Sequence, residues 1–156
     1  MTKIHPCLWF DSQAEEAAKH YVAIFKNSKI GKITRYGEGA PQPKGSVLTV
    51  SFELDGQAYT GLNGGPQFKF SEAISLVVNC QDQAEVDHYW EKLSEGGEKG
   101  PCGWLKDKFG LSWQVVPVEL FDLIGDPDPK RSERAMQALM QMSKLDIAAL
   151  KLAAAG

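Results

Sequence analysis

The chain has 156 residues, 43% of them hydrophobic and 24% charged, an ordinary globular balance that excludes disordered and collagen-like classes. Seventeen Lys and Arg against twenty Asp and Glu leave a formal net charge of −3, so the cationic field that drives nucleic-acid binding is lacking. No apolar run approaches the ~20 residues of a membrane-spanning helix, and neither nucleic acid nor membrane is expected as a partner.

The opening Met1-Thr2-Lys3-Ile4-His5-Pro6 lacks the apolar stretch of a signal peptide, which leads to the expectation of a cytoplasmic protein. Ile4 to Phe10 then reads as a short strand. Ser12-Gln13-Ala14-Glu15 matches a capping box, and Ala14, Ala17, Ala18, Tyr21 and Phe25 follow at helical spacing. Lys29 to Tyr36 alternates weakly as a strand. Gly37 to Gly45, with two prolines and three glycines, is an exposed loop. Val47 to Leu54 alternates in β fashion up to Asp55-Gly56, a strong hairpin signal. Gln57 to Asn63 returns as its partner and ends at Gly64-Gly65-Pro66.

After Phe68 to Phe70 the pattern restarts. Ala73 to Cys80 is a buried-looking strand, and Asp82 with Glu85 starts a second helix whose stripe is Val86, Tyr89, Trp90 and Leu93. Gly96-Gly97 ends it. Trp104 to Asp107 and Leu111 to Val116 fit two more strands, with Gly110 at a left-handed turn position. Ile4 and Ile74, and Gln13-Ala14-Glu15 and Gln83-Ala84-Glu85, align at one offset of 70 residues. The chain therefore reads as a duplicated βαβββ unit. In the tail, Asp128-Pro129 is an N-cap with proline at the first helical position. Met136, Leu139 and Met140, then Ile147, Leu150 and Ala154, recur at helical spacing. Core packing is the expected role of Met136, Met140 and Met142.

Cys7, Cys80 and Cys102 are widely spaced with no Cys-x-x-Cys pair, and are read as reduced thiols. No Gly-x-Ser-x-Gly elbow marks a nucleophile. Cys102, between Pro101 and Gly103, is read as structural rather than reactive. Lys106-Asp107-Lys108 is read as a hydrated turn, and His20 and His88 as helix-face residues.

Paired βαβββ modules resemble the vicinal-oxygen-chelate superfamily, which includes glyoxalase I, extradiol dioxygenases and bleomycin- and fosfomycin-resistance proteins. Within it the chain resembles the PhnB-like subgroup, labelled 3-demethylubiquinone-9 3-methyltransferase-like. The matching stretches are Leu8-Trp9-Phe10-Asp11 with Ala14-Glu15-Glu16-Ala17, Leu62-Asn63-Gly64-Gly65-Pro66, and Glu85-Val86-Asp87 with Trp90. They continue through Cys102-Gly103-Trp104-Leu105-Lys106-Asp107, Ser112-Trp113-Gln114-Val115-Val116-Pro117 and Met142-Ser143-Lys144-Leu145-Asp146-Ile147. The resemblance implies an α+β fold in which curved sheets enclose a cleft. It would be a single domain of residues 1–156, with modules at 1–66 and 70–118 and a helical extension at 119–156. A homodimer is expected, with the cleft built either within one chain or from exchanged modules.

In that superfamily metal ligands come from the first and last strands of each module. His5 and Gln114 stand near two of those places and are the weak metal candidates. On the fourth strand the inward set is Gln57, Tyr59, Gly61 and Asn63, or else the alternate register. On the fifth, Ser75, Val77 and Asn79 share a face. One imidazole, one neutral amide and hydroxyls make a poor cage for a divalent ion. The expected ligand-binding residues are His5, Cys7, Trp9, Tyr59, Asn63, Ser75, Trp104 and Gln114, with no cofactor and a small organic molecule as partner. A metal-dependent lyase, isomerase or dioxygenase is the alternative. Methyl transfer is disfavoured, because both strand-to-helix junctions, Phe10 to Ala14 and Cys80 to Ala84, lack the glycines of a methyl-donor site.

Overall fold

The computed structural model describes residues 2–156. Two units divide the chain, one ending at Phe70 and the other beginning at Ser71. The first contains β1 (Cys7–Phe10), α1 (Ala14–Ile24), β2 (Lys29–Arg35), β3 (Val47–Leu54) and β4 (Gln57–Asn63). Its open, curved sheet has the order β1-β4-β3-β2, with β1 parallel to β4 and the other pairs antiparallel. Asp55 and Gly56 have φ of 48° and 81°, the two positive values that a type I′ turn requires.

Alternation along these strands sends Leu8, Phe10, Val50, Phe52 and Leu54 into the core with Ala14, Ala17, Ala18 and Tyr21 of α1. Alanines let the helix lie close to the sheet. A Cβ placed on Gly61 would come 3.2 Å from the Ala14 Cβ, so glycine on β4 is part of the same close approach. The Ser12 capping box does not form: Gln13 is the N-cap and no cap residue's side chain bonds the helix. Asn63 of β4 does that work. Its Oδ1 accepts from the Ala14 amide at 2.8 Å, while Nδ2 donates to the Val47 carbonyl at 3.1 Å. A side chain already fixed at a strand end loses less freedom in capping than an exposed serine would.

The second unit repeats the plan with β5 (Ser75–Cys80), α2 (Gln83–Ser94), β6 (Glu98–Lys99), β7 (Trp104–Lys106) and β8 (Ser112–Pro117). Its sheet order, β5-β8-β7-β6, matches the first position for position. The two-residue β6 was not anticipated, since two residues carry no period. The Asp82 cap does form, accepting from the Glu85 amide at 2.9 Å, and Val86, Trp90 and Leu93 are buried. Tyr89 is only half-buried.

Gly110 adopts φ 88°, as its turn demands. The turn is not simply hydrated. Asp107 is 2% exposed and accepts from the amides of Phe109 and Leu111 and from Trp113 Nε1. Three donors around one carboxylate offset its desolvation and lock the hairpin.

Three further helices complete this unit: α3 (Glu119–Ile124), which was not anticipated, α4 (Pro129–Leu139) and α5 (Ile147–Ala155). Val116, Leu120, Leu139, Leu145 and Leu150 form their buried cluster. Asp128 and Asp146 cap α4 and α5, and Arg134 donates to the final carbonyls of α5 at Ala153 and Ala154. Of the three tail methionines, Met142 packs on the cluster. Met136 and Met140 are 41% and 63% exposed, contrary to the expected core role. The buried stripe of α4 is built from Ala135 and Leu139, which leaves the methionines on its flank. Among the described residues no helix is long and apolar enough to cross a membrane.

Candidate functional site

Period-two alternation gives each sheet one face under its helix and one turned away. In the first unit the face turned away carries Cys7 and Trp9 on β1, opposite Thr60 and Leu62 on β4. His5, just ahead of β1, shares a 2.9 Å hydrogen bond between its Nε2 and Thr60 Oγ1. Trp9 Nε1 donates to the Gly65 carbonyl at 2.9 Å, and its ring meets Phe68 edge-on at 4.9 Å. A Cβ on Gly64 would fall within the Trp9 indole, so the tryptophan clamps this glycine turn over the end of the sheet. Cys7 is exposed, and partial desolvation pushes its thiol above the ordinary range.

Tyr59 and Asn63 lie on the opposite face. Gly61 against Ala14 fixes this register, so the alternate set, Ala58, Thr60 and Leu62, is the one turned away from the helix. Tyr59 stacks on Phe52 at 5.4 Å, with its phenol pushed up by burial, and Asn63 caps α1. The structure therefore brings together His5, Cys7 and Trp9 but separates them from Tyr59 and Asn63.

In the second unit, Ser75 and Val77 on β5 stand opposite Ser112 and Gln114 on β8. Trp104 and Lys106 on β7 pair with Gln114 and Ser112 from the other side. Ser75, Trp104 and Gln114, all expected site residues, thus share one face, and Gln114 Nε2 donates to Ser75 Oγ at 3.0 Å. Beside them is a cavity of about 130 Å³ walled by Pro101, Trp104 and Leu105 and reaching Ser112. Lys106, at its mouth, is ion-paired with Glu72, an interaction that holds the Glu72 carboxyl below its usual range. Ser112 and Glu72 were not singled out from the sequence, and Lys106 was read there only as part of a hydrated turn. Ser112 and Lys106 share the alternation of Gln114 and Trp104, and that was the available signal.

Among the described residues, no three His, Cys, Asp or Glu side chains are grouped to hold a metal ion. His5 is engaged by a hydroxyl and Gln114 is a neutral amide. Such a donor set supplies no anion to offset a divalent charge, and these residues do not fit a transition-metal centre. His88 is exposed and lies edge-on to Tyr89. His20 lies beside Tyr21 on α1. Cys102, at φ 59°, packs on the tail cluster while its amide donates to the Met142 carbonyl, a structural placement.

A family model described as 3-demethylubiquinone-9 3-methyltransferase matches residues 2–116. A search of curated proteins finds no match. Among solved structures, a putative 3-demethylubiquinone-9 3-methyltransferase, PhnB protein, from Bacillus cereus is 34% identical. That alignment covers 75% of this chain and 100% of the other, with a TM-score of 0.67. Protein PA1353 from Pseudomonas aeruginosa is 20% identical over 75% of this chain and 98% of its own, with a TM-score of 0.63. The fosfomycin resistance protein FosX from Listeria monocytogenes, complexed with Mn(II) and sulfate, is 16% identical over 76% and 94%, with a TM-score of 0.51. The latter two likenesses concern the fold alone. With its matched sheets and helices, the chain belongs to the 3-demethylubiquinone-9 3-methyltransferase, or PhnB-like, family.

Proposed function

We propose that the protein binds a small organic ligand on sheet faces turned away from the helices, without a resident metal. The observation that carries this reading is the state of the two candidate ligand positions. His5 is tied to Thr60 and Gln114 to Ser75, so both places hold hydrogen-bonding pairs without a carboxylate, suited to orienting a small organic molecule. A methyl-donor role gains no support from either helix start. The Ala14 amide is taken by Asn63 and the Glu85 amide by Asp82, so these donors are unavailable for an anionic group at the helix N-termini.

The test uses untagged protein, metal analysis and a thermal-shift screen of small neutral organic compounds in chelator. The expected result is substoichiometric metal and a compound that raises the melting temperature equally with and without chelator. At about a hundred times its Kd such a ligand adds ~2.7 kcal/mol, several degrees for a chain of this size. A stabilising effect that vanishes in chelator and returns with Mn, Fe, Zn or Ni would overturn the proposal in favour of a metal-dependent enzyme.

A further inference from the structure

The helices α3 to α5 are an addition to the module shared with the relatives. The family match ends at residue 116, and the whole of the Bacillus cereus chain matches 75% of this one. Where the addition docks bears on the ligand face. On the second sheet, the face turned away from α2 carries rows of side chains set by the strand register. Ser75, Ser112 and Lys106 form the first row, Val77, Gln114 and Trp104 the second, and Asn79 and Val116 the third. Successive rows are two strand residues, about 6.6 Å, apart. The first two rows hold the expected ligand residues Ser75, Trp104 and Gln114. At the third, Val116 is only 5% exposed, and the tail is what buries it. Leu120, Leu139, Leu145 and Leu150 pack with Val116, and Cys102, just ahead of β7, joins them. Asn79, on the edge strand, stays exposed, so the tail covers the inner strands of this row.

The tail is fixed there from two sides. The Cys102 and Gly103 amides donate to the Met142 and Ser143 carbonyls, both at 2.8 Å, and Ser143 Oγ donates to the Gly100 carbonyl at 2.6 Å. From α2, the Gln83 amide group binds the Leu145 carbonyl and the Ile147 amide. Gly103 lets this strap close in, since a Cβ there would stand 3.2 Å from Leu145 Cγ and Cδ1. Leu145 and Leu150 are fully buried, and a close-packed cluster leaves no space for a chain to pass between tail and sheet. At the other end of the face, Lys106 of the first row is ion-paired with Glu72, so a polar boundary stands opposite the apolar one.

We infer that the tail is the end wall of the second unit's ligand face, and that Leu145, seated on Val116, limits the length of what binds there. The face takes a compact group spanning the first two rows, about 7 Å, and excludes an extended chain running along β8. The inference rests on the small-ligand reading above and adds a size limit to it. The shared module without these helices would leave Val116 bare and the face open-ended.

The probes are straight-chain primary alcohols, ethanol to octanol, added to the full chain. Protein-observed NMR follows the Gln114 side-chain amide and the Trp104 indole, the latter assigned with Trp104→Phe. Affinity is expected to rise about fourfold per added CH₂ until the chain fills two rows, roughly five carbons, and then to stop. Leu145→Ala removes part of the wall and should carry the rise on to longer alcohols. Met142→Ala trims the same cluster from its half-buried rim, serves if Leu145→Ala does not fold, and should extend the rise by a smaller step. Met136→Ala, on the same tail but 41% exposed, should leave the limit where it was. Affinity climbing steadily to octanol in the wild-type chain, a limit unmoved in every folded wall variant, or no alcohol shifting either signal would each overturn the inference. The small-ligand reading is decided separately. A compound that stabilises the chain in chelator upholds it even if the wall falls, and a screen without one sinks it whatever the alcohols do.

Discussion

Asn63 joins three elements through one amide: its oxygen caps α1 and its nitrogen reaches β3. It is 7% exposed, so removing it leaves a buried amide and a part-buried carbonyl unmatched. Asn63→Ala is expected to cost about 2 kcal/mol, a lost cap plus an orphaned group, measured by urea denaturation. Asn63→Asp keeps the acceptor for Ala14 but not the donor for Val47, and should fall between. The cysteines differ in a similarly local way. Burial, aided by the Glu85 carboxylate, pushes the Cys80 thiol up to about 12, whereas Cys7 is exposed. A thiol-reactive chromophore should label Cys7 in the native protein, faster as pH rises and thiolate forms. Cys80 should react only as the chain unfolds. Native labelling of Cys80 at the rate of Cys7 would contradict its placement.

Among elements, the tail strap shows how a surface segment is fixed by few contacts. Gln83 Nε2 donates to the Leu145 carbonyl and its Oε1 accepts from the Ile147 amide at 2.8 Å, so one side chain mimics a strand partner. Asp87 sits beside it, bonded to Gln83 and ion-paired with Lys144 at 2.9 Å. First the Gln83 hydrogen bond and then Lys144 hold the Asp87 carboxyl below its usual range. A depressed folded-state pKa contributes stability above the unfolded value, which is lost as pH falls through the folded one. The pair is half-exposed, so the effect is small. Acidification from neutral pH to below the ordinary Asp range, ~3.9, should weaken protection of the Ile147 amide in the wild-type chain. In Asp87→Asn that dependence should be lost, and NMR amide exchange referenced to a neighbouring exposed amide reads it. An equal acid response in both proteins would remove Asp87 from the latch.

At the scale of the molecule, the duplication was legible because both helix starts keep the Gln-Ala-Glu triplet at one offset, and the two sheets have matching strand order. The face of β4 was not legible. Gln57, Tyr59 and Asn63 are as polar as a site-facing set, and only the contact of Gly61 with Ala14, 47 residues away in sequence, turns them toward the helix. Short β6 and α3, two and six residues long, escaped detection because neither is long enough to repeat its period. The Asp107 turn was misjudged because its charged neighbours masked a buried role that depends on Trp113. The second-unit face was half legible: alternation placed Ser75, Trp104 and Gln114, while Ser112 looked like any strand serine until its hydroxyl proved buried and unmatched.

Metal-independent recognition of a small ligand is the claim on which the functional account stands. Its most direct test is diffraction from crystals soaked with manganese and the strongest ligand of the screen, with data collected for the manganese anomalous signal. The account predicts ligand density against residues turned away from the helices and no manganese peak bonded to His5 or Gln114. An anomalous peak coordinated by either residue and by the ligand would contradict it.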